Sequence, residues 1–127
     1  MTTPRILVVD DDPDIIESTV VLLASAGFYV AGACGGAEAI ESAASDPPDV
    51  ALVDLDMPDV DGFEVARRLR GGAAAHPPTL IAVAALGSDW DRRRVDAAGF
   101  VLCLTKPVPP KELLAAVREC ARVRAPE

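Results

Sequence analysis

Ile6-Leu-Val-Val-Asp-Asp-Asp-Pro13 holds a strand, its end and the start of a helix within eight residues. The run Ile6–Val9 is continuously apolar rather than alternating, as in a strand covered on both faces. It stops at Asp10. Asp12 can cap a helix, and Pro13 suits the first helical position, where an amide donor has no partner anyway. Ile16, Val20 and Leu23 then recur at i, i+4 and i+7 as one buried stripe, and Gly27 ends the helix.

The same signals repeat along the chain. Phe28–Ala33 reads as a second strand and Gly36–Ala44 as a second helix. The turn Asp46-Pro-Pro-Asp49 leads into a third strand, Val50–Val53. A polar loop, Asp54 to Asp61, precedes a helix starting near Gly62, and Gly71–Pro78 is a small-residue connector. Leu80–Val83 and Phe100–Cys103 are the fourth and fifth strands, with a charged helix over 89–98 between them. Pro109-Pro110 launches the last helix, with Leu113, Leu114, Val117 and Ala121 facing the core, and 123–127 should fray. Strands alternating with helices predict an α/β fold with a parallel sheet covered on both faces.

Composition narrows the function. The 127 residues suit one domain, expected to span 1–127 with an ordered core of about 4–123. Twelve basic against twenty acidic residues give a net charge of −8, which disfavours direct contact with nucleic acid or anionic lipid. Cys34, Cys103 and Cys120 are widely spaced, so they predict small buried residues in a reducing compartment rather than a disulfide or zinc framework. No stretch reads as a signal peptide or a membrane span, and the expected location is cytoplasmic.

In parallel sheets the functional crevice lies beyond the carboxyl ends of the strands. Those ends carry Asp10-Asp11, Asp54 and Ala84, with Lys106 just past the fifth strand. Clustered carboxylates repel one another unless a cation intervenes, and hard oxygen ligands select Mg²⁺, Ca²⁺ or Mn²⁺. A carboxylate nucleophile, a hard dication and a nearby ammonium together suit in-line phosphoryl transfer.

These residues give the chain its resemblance to the receiver domain of two-component response regulators. Asp10-Asp11-Asp12 after the first strand resembles the family's acidic pair. Asp54-Leu-Asp-Met-Pro-Asp-Val-Asp-Gly62 resembles its phosphorylation loop, and Leu104-Thr-Lys-Pro107 its lysine-proline corner. The resemblance covers nearly the whole chain. It implies a flavodoxin-like (βα)5 fold with strand order 2-1-3-4-5. It also implies that Asp54 accepts a phosphoryl group from a histidine kinase or a histidine phosphotransfer domain, with Mg²⁺ as cofactor. Asp11 would bind the metal directly, Asp10 mainly through water and Asp56 through its backbone carbonyl, with Asp54 itself completing the metal set. Lys106 would pair with the phosphoryl oxygens, and the Lys106-Pro107 peptide would be cis. Such a domain modifies itself and loses the group slowly, so it is not an enzyme in the usual sense. It acts on a downstream target or output domain, and its fourth and fifth helices offer a surface for a partner or a homodimer.

Two positions depart from the family pattern. A Ser or Thr usually stands twenty-two residues before the lysine, where this chain has Ala84; an aromatic usually stands three residues before it, where this chain has Cys103. A hydrogen bond to a charged group contributes roughly 1.5–3 kcal/mol, so its loss would weaken the active-state bias about tenfold or more. The expectation is a phosphorylated Asp54 with little movement of the fourth helix and fifth strand. Ser88 is read as a helix cap rather than a replacement hydroxyl, and Leu86 and Asp56 as flanking the approach to the phosphoryl group.

Other residues carry plainer readings. Asp12 is a helix cap, Asp59 and Asp61 are solvated turn residues, and His76 is exposed without a phosphotransfer role. Arg92-Arg93-Arg94 forms a solvated helix face, and Trp90 is either packing or a partner anchor. Two competing functions are a pseudo-receiver that only binds a partner and a haloacid-dehalogenase-like phosphatase using Asp54-Leu55-Asp56. The second would place its Asp-x-Asp after the first strand, and it has no use for Asp10-Asp11 or Met57-Pro58.

Overall fold

The structure, a computed structural model, describes residues 3–58, 61–71, 77–85, 90 and 92–124, with 123 and 124 as backbone only. Five strands and five helices alternate: β1 (Arg5–Asp10), α1 (Pro13–Ser25), β2 (Tyr29–Cys34), α2 (Gly36–Ser45), β3 (Val50–Asp54), α3 (Gly62–Arg70), β4 (Thr79–Ala85), α4 (Arg92–Ala97), β5 (Phe100–Lys106) and α5 (Pro110–Arg124). The strands form one parallel sheet in the order β2-β1-β3-β4-β5, as the resemblance implied.

Continuous apolar strands make this sheet possible. Ile6–Val9 and Val50–Val53 are buried throughout, and alternate side chains feed two core layers. Leu7, Val9, Ala51 and Val53 face Phe63, Val65 and Leu69 on one side. Ile6, Val8, Val50 and Leu52 face Leu113, Val117 and Cys120 on the other. With both faces covered, the carboxyl edge of the sheet is where polar groups can gather.

The ladder runs further than the apolar runs predict. Asp10 pairs with Cys34, Asp54 with Val83, and Ala85 with Lys106. Lys106 is therefore the last residue of β5 rather than a residue just past it. Backbone pairing does not depend on side-chain polarity, so the charged residues extend the strands that carry them. A register shift between Leu80 and Ile81 leaves Val101 as the extra residue on β5, and Val101 and Leu102 are exposed there.

Several local expectations hold. Asp12 caps α1 by accepting from Asp14 N–H at 2.9 Å, with Pro13 behind it. Leu113, Val117 and Ala121 are buried and Leu114 is half-buried. On α1 the stripe is weaker than its spacing suggests, since Leu23 is buried while Ile16 and Val20 are half-buried. The helix lies on edge strand β2, where Gly32 brings the backbone so close that a Cβ would collide with Ile16 Cγ2.

The cysteines divide. Cys120 is buried and Cys103 half-buried, but Cys34 is exposed, contrary to the expectation of burial. Cys34 is the last residue of β2, an edge strand of the sheet. Charged helix α4 spans Arg92–Ala97, within the segment expected near 89–98, of which 89 and 91 lie outside the described residues. Readings placed on Asp59, His76, Leu86 and Ser88 lie outside the described residues.

Candidate functional site

The site stands at the carboxyl edge of β1, β3 and β5. Asp10 and Asp54 are the final residues of their strands and are buried, at 4% and 2% exposure, whereas Asp11 is exposed. Carboxylate oxygens of Asp10, Asp11 and Asp54 all lie within 4.8 Å of one another. Lys106 Nζ lies 3.0 Å from Asp10 Oδ2 and 3.0 Å from Asp54 Oδ2. The four residues singled out from distant parts of the sequence thus converge. The Lys106-Pro107 peptide beneath them is cis.

Each buried carboxylate also takes a local backbone bond. Asp12 N–H donates to Asp10 Oδ1 at 3.0 Å, and Asp56 N–H donates to Asp54 Oδ1 at 2.9 Å. These turns fix the side chains so that their second oxygens meet Lys106. Gly62 makes the Asp54 turn possible, because a Cβ there would stand 2.9 Å from Asp54 O and 3.1 Å from Leu55 Cα. Asp61, read from sequence as a solvated turn residue, is exposed but has two tasks. It caps α3 by accepting from Phe63 N–H at 2.9 Å, and it pairs with Arg94 at 3.5 Å.

One cation between two buried anions leaves the charges unbalanced. Burial pushes the Asp54 carboxyl upward, and the Asp56 N–H and Lys106 do not fully offset that, with the Asp10 charge adding to the rise. Burial also acts on Asp10, but the Asp12 N–H and Lys106 outweigh it and hold Asp10 low. Lys106 is itself penalised by burial, yet its hydrogen bonds to Asp54 and Asp10 raise it. Three acidic side chains thus face one ammonium. A hard dication fits that donor set, three carboxylates at a mouth where Asp11 meets solvent.

A cavity of about 570 Å³ opens beside these groups. Asp10, Asp54, Ala85 and Lys106 form its polar end, while Val8, Leu52, Val83 and Leu113 line its apolar depth. Ala84 is buried among the side chains of the α3 layer, and Cys103 packs against the same layer. Burial raises the Cys103 thiol, which keeps it protonated and apolar.

Two connections were not read from sequence. The Asp56 carboxylate, expected to leave its metal role to the backbone, accepts from Ala85 N–H at 2.6 Å and from Trp90 Nε1–H at 3.2 Å. Trp90 also meets Phe63 edge-on at 5.2 Å, so packing is one of its roles. Arg94, expected only as part of a solvated face, lays its guanidinium 4.0 Å from the centre of the Phe63 ring. An acid thirty-four residues from a lone tryptophan gives no pattern to detect; only the Asp61-Gly62 cap carried a usable signal.

Comparison with known proteins agrees with this geometry. The family model of the response regulator receiver domain matches residues 6–118. This chain belongs to that family. The receiver domain is 40% identical over 124 residues to the transcriptional regulatory protein PrrA of Mycobacterium tuberculosis, covering 98% of this chain and 52% of PrrA. It is 41% identical over 123 residues to the response regulator MprA of the same species, covering 97% and 53%. The chain spans about half the length of these curated relatives. Among solved structures, a CheY-like receiver domain from Methanospirillum hungatei superposes with a TM-score of 0.84 at 29% identity, covering 97% of each chain. The chemotaxis response regulator CheY4 of Vibrio cholerae gives 0.84 at 28% identity, covering 94% of this chain and 99% of its own. The receiver fold also removes the phosphatase reading, because Asp54-Leu55-Asp56 follows the third strand and not the first.

Proposed function

We propose that this receiver domain accepts a phosphoryl group on Asp54 from a phosphohistidine donor, either a histidine kinase or a histidine phosphotransfer domain. A carboxylate oxygen of Asp54 attacks phosphorus, the P–N bond of the donor breaks, and the electron pair leaves with the imidazole, which takes up a proton. The product is an acyl phosphate. Asp11 would hold Mg²⁺ directly, Asp10 through water, and Asp56 through its backbone carbonyl. The ion, when bound, neutralises charge on the entering group. Lys106 supports the reading most strongly: its ammonium, now shared by Asp10 and Asp54, is positioned to follow the added oxygens.

The domain catalyses only its own modification and slow loss of the group. Its output passes to a partner or an attached domain in the cytoplasm, and the relatives named as transcriptional regulators suggest one such output. A net charge of −8 argues that any DNA contact would come from elsewhere. Val101 and Leu102, exposed on β5 beside α4, suit a homodimer or a target protein.

Acetyl phosphate with Mg²⁺ tests the reading through intact mass. The wild type should gain one phosphoryl group and Asp54→Ala none. Ala84 and Cys103 favour a second reading, a receiver that only docks on a partner. An unmodified wild-type mass, with partner binding retained, would establish that one instead.

A further inference from the structure

Ala84 and Cys103 lack the hydroxyl and the ring through which relatives are read to relay a signal, yet another connection joins Asp54 to α4. It begins at Asp56. The backbone N–H of this residue holds Asp54 Oδ1, while its carboxylate accepts from Ala85 N–H at the end of β4 and from the Trp90 indole ahead of α4. The Trp90 ring rests on Phe63, and Arg94 of α4 covers Phe63 and pairs with Asp61. A single acid, two residues from the acceptor, therefore ties together β4 and the approach to α4.

Building on the reading of Asp54 as phosphoacceptor, we propose that Trp90 is a positioning residue that grips the Asp56 carboxylate, and that release of this grip carries the charge state of Asp54 to α4. A phosphoryl group adds about −1.5 to −2 charge at neutral pH. Asp56 is half-buried, where like charges repel more strongly than in open water. The Ala85 and Trp90 donors are neutral, so these two do not offset the added repulsion. The rotamer that turns the carboxylate away from Asp54 is then favoured, and it gives up Ala85 N–H and the indole N–H together. Trp90 loses its polar tether and α4 loosens at its first turn. β5 stays in place, because Cys103 has no ring to carry movement. Positions 84 and 103 alone predict a silent α4 and a silent β5; the Asp56–Trp90 bond separates the two.

The chain has one Trp, so ¹⁵N-labelled protein gives one indole N–H signal. The signal is compared before and after acetyl phosphate with Mg²⁺, with intact mass taken on the same samples. Asp56→Ala should shift it in the unmodified protein, and phosphorylation should shift the wild type in the same direction. Asp56→Asn removes the charge and keeps one acceptor oxygen in place of two, so its signal should start between those of the wild type and Asp56→Ala and move less on phosphorylation. Trp90→Phe keeps an aromatic ring while removing the N–H and the smaller ring that carries it; it should speed amide exchange over 92–97 at rest and leave little further change on modification. An indole signal that stays fixed in fully modified wild type overturns the inference and leaves the phosphoacceptor reading intact. A sample that gains no mass overturns that reading and the proposed trigger with it. The unmodified Asp56→Ala and Trp90→Phe samples then still decide whether the grip exists, and unchanged spectra and exchange in both would deny it.

Discussion

Lys106 Nζ and Asp54 Oδ2 stand 3.0 Å apart across strands that do not neighbour each other, with Asp10 at the same distance from the same ammonium. One cation thus serves two buried anions. Removing the Asp54 charge should stabilise the metal-free protein, because a raised Asp54 means that the fold disfavours its ionised form. Asp54→Asn should raise stability at pH 7 on the order of 1 kcal/mol, or roughly 4 °C in Tm for a domain of this length. A raised group contributes stability that is complete below its unfolded value, ordinarily 3.8, and is lost as pH climbs through the folded value. The advantage of Asp54→Asn should therefore fade as pH falls toward 3.8, where the wild-type carboxyl is itself becoming neutral. Thermal unfolding from pH 3.5 to 8 without divalent ions checks both the size and the slope.

Magnesium should reverse that order. Binding to the folded state alone stabilises by about 2.7 kcal/mol at a hundred times the dissociation constant. The wild type should gain Tm with Mg²⁺ while Asp54→Asn gains little. Asp11→Ala removes the exposed carboxylate of the cluster and should weaken Mg²⁺ at least tenfold, read by isothermal titration calorimetry. Equal Mg²⁺ affinity in Asp11→Ala and wild type would remove Asp11 from the metal set.

Gly62→Ala sets two effects against each other. Helix propensity favours Ala by about 1 kcal/mol. The added Cβ would stand 2.9 Å from Asp54 O and 3.1 Å from Leu55 Cα, both backbone atoms that cannot turn aside. The steric effect should win, lowering stability by about 1–3 kcal/mol in urea unfolding. A stabilised variant would show that α3 can retreat from the Asp54 turn at no cost.

The three thiols should separate under a thiol reagent at pH 8. Cys34 is exposed and should react first. Burial raises both Cys103 and Cys120, which keeps little thiolate available, and Cys120 is also shielded from solvent. Peptide mapping after brief alkylation should find Cys34 labelled, Cys103 slow, and Cys120 protected until the protein unfolds. Early labelling of Cys120 would contradict the packing of α5.

Much of this site was legible because strand ends announce themselves. Ile6–Val9 and Val50–Val53 end on aspartates, and a parallel sheet brings such ends to one edge whatever lies between them. Lys106 was found for the same reason, though its place inside β5 was not, since ladder pairing ignores side-chain charge. The strand order itself came with the family resemblance rather than from the pattern. Cys34 misled because residue type predicts burial only on average, and an edge position overrides it. Asp56, Trp90, Phe63 and Arg94 meet only after α3 and the end of β4 are packed, so no spacing in the chain marks their contact.

The central claim is that Asp54 is the phosphoryl acceptor in a cation-dependent site, and chemical trapping tests it most directly. The protein is treated with acetyl phosphate and Mg²⁺, reduced with borohydride, digested and mapped by mass. Reduction of an aspartyl phosphate gives homoserine, which the account predicts at position 54 alone and only when Mg²⁺ was present. Homoserine at another aspartate, or at none, would contradict it.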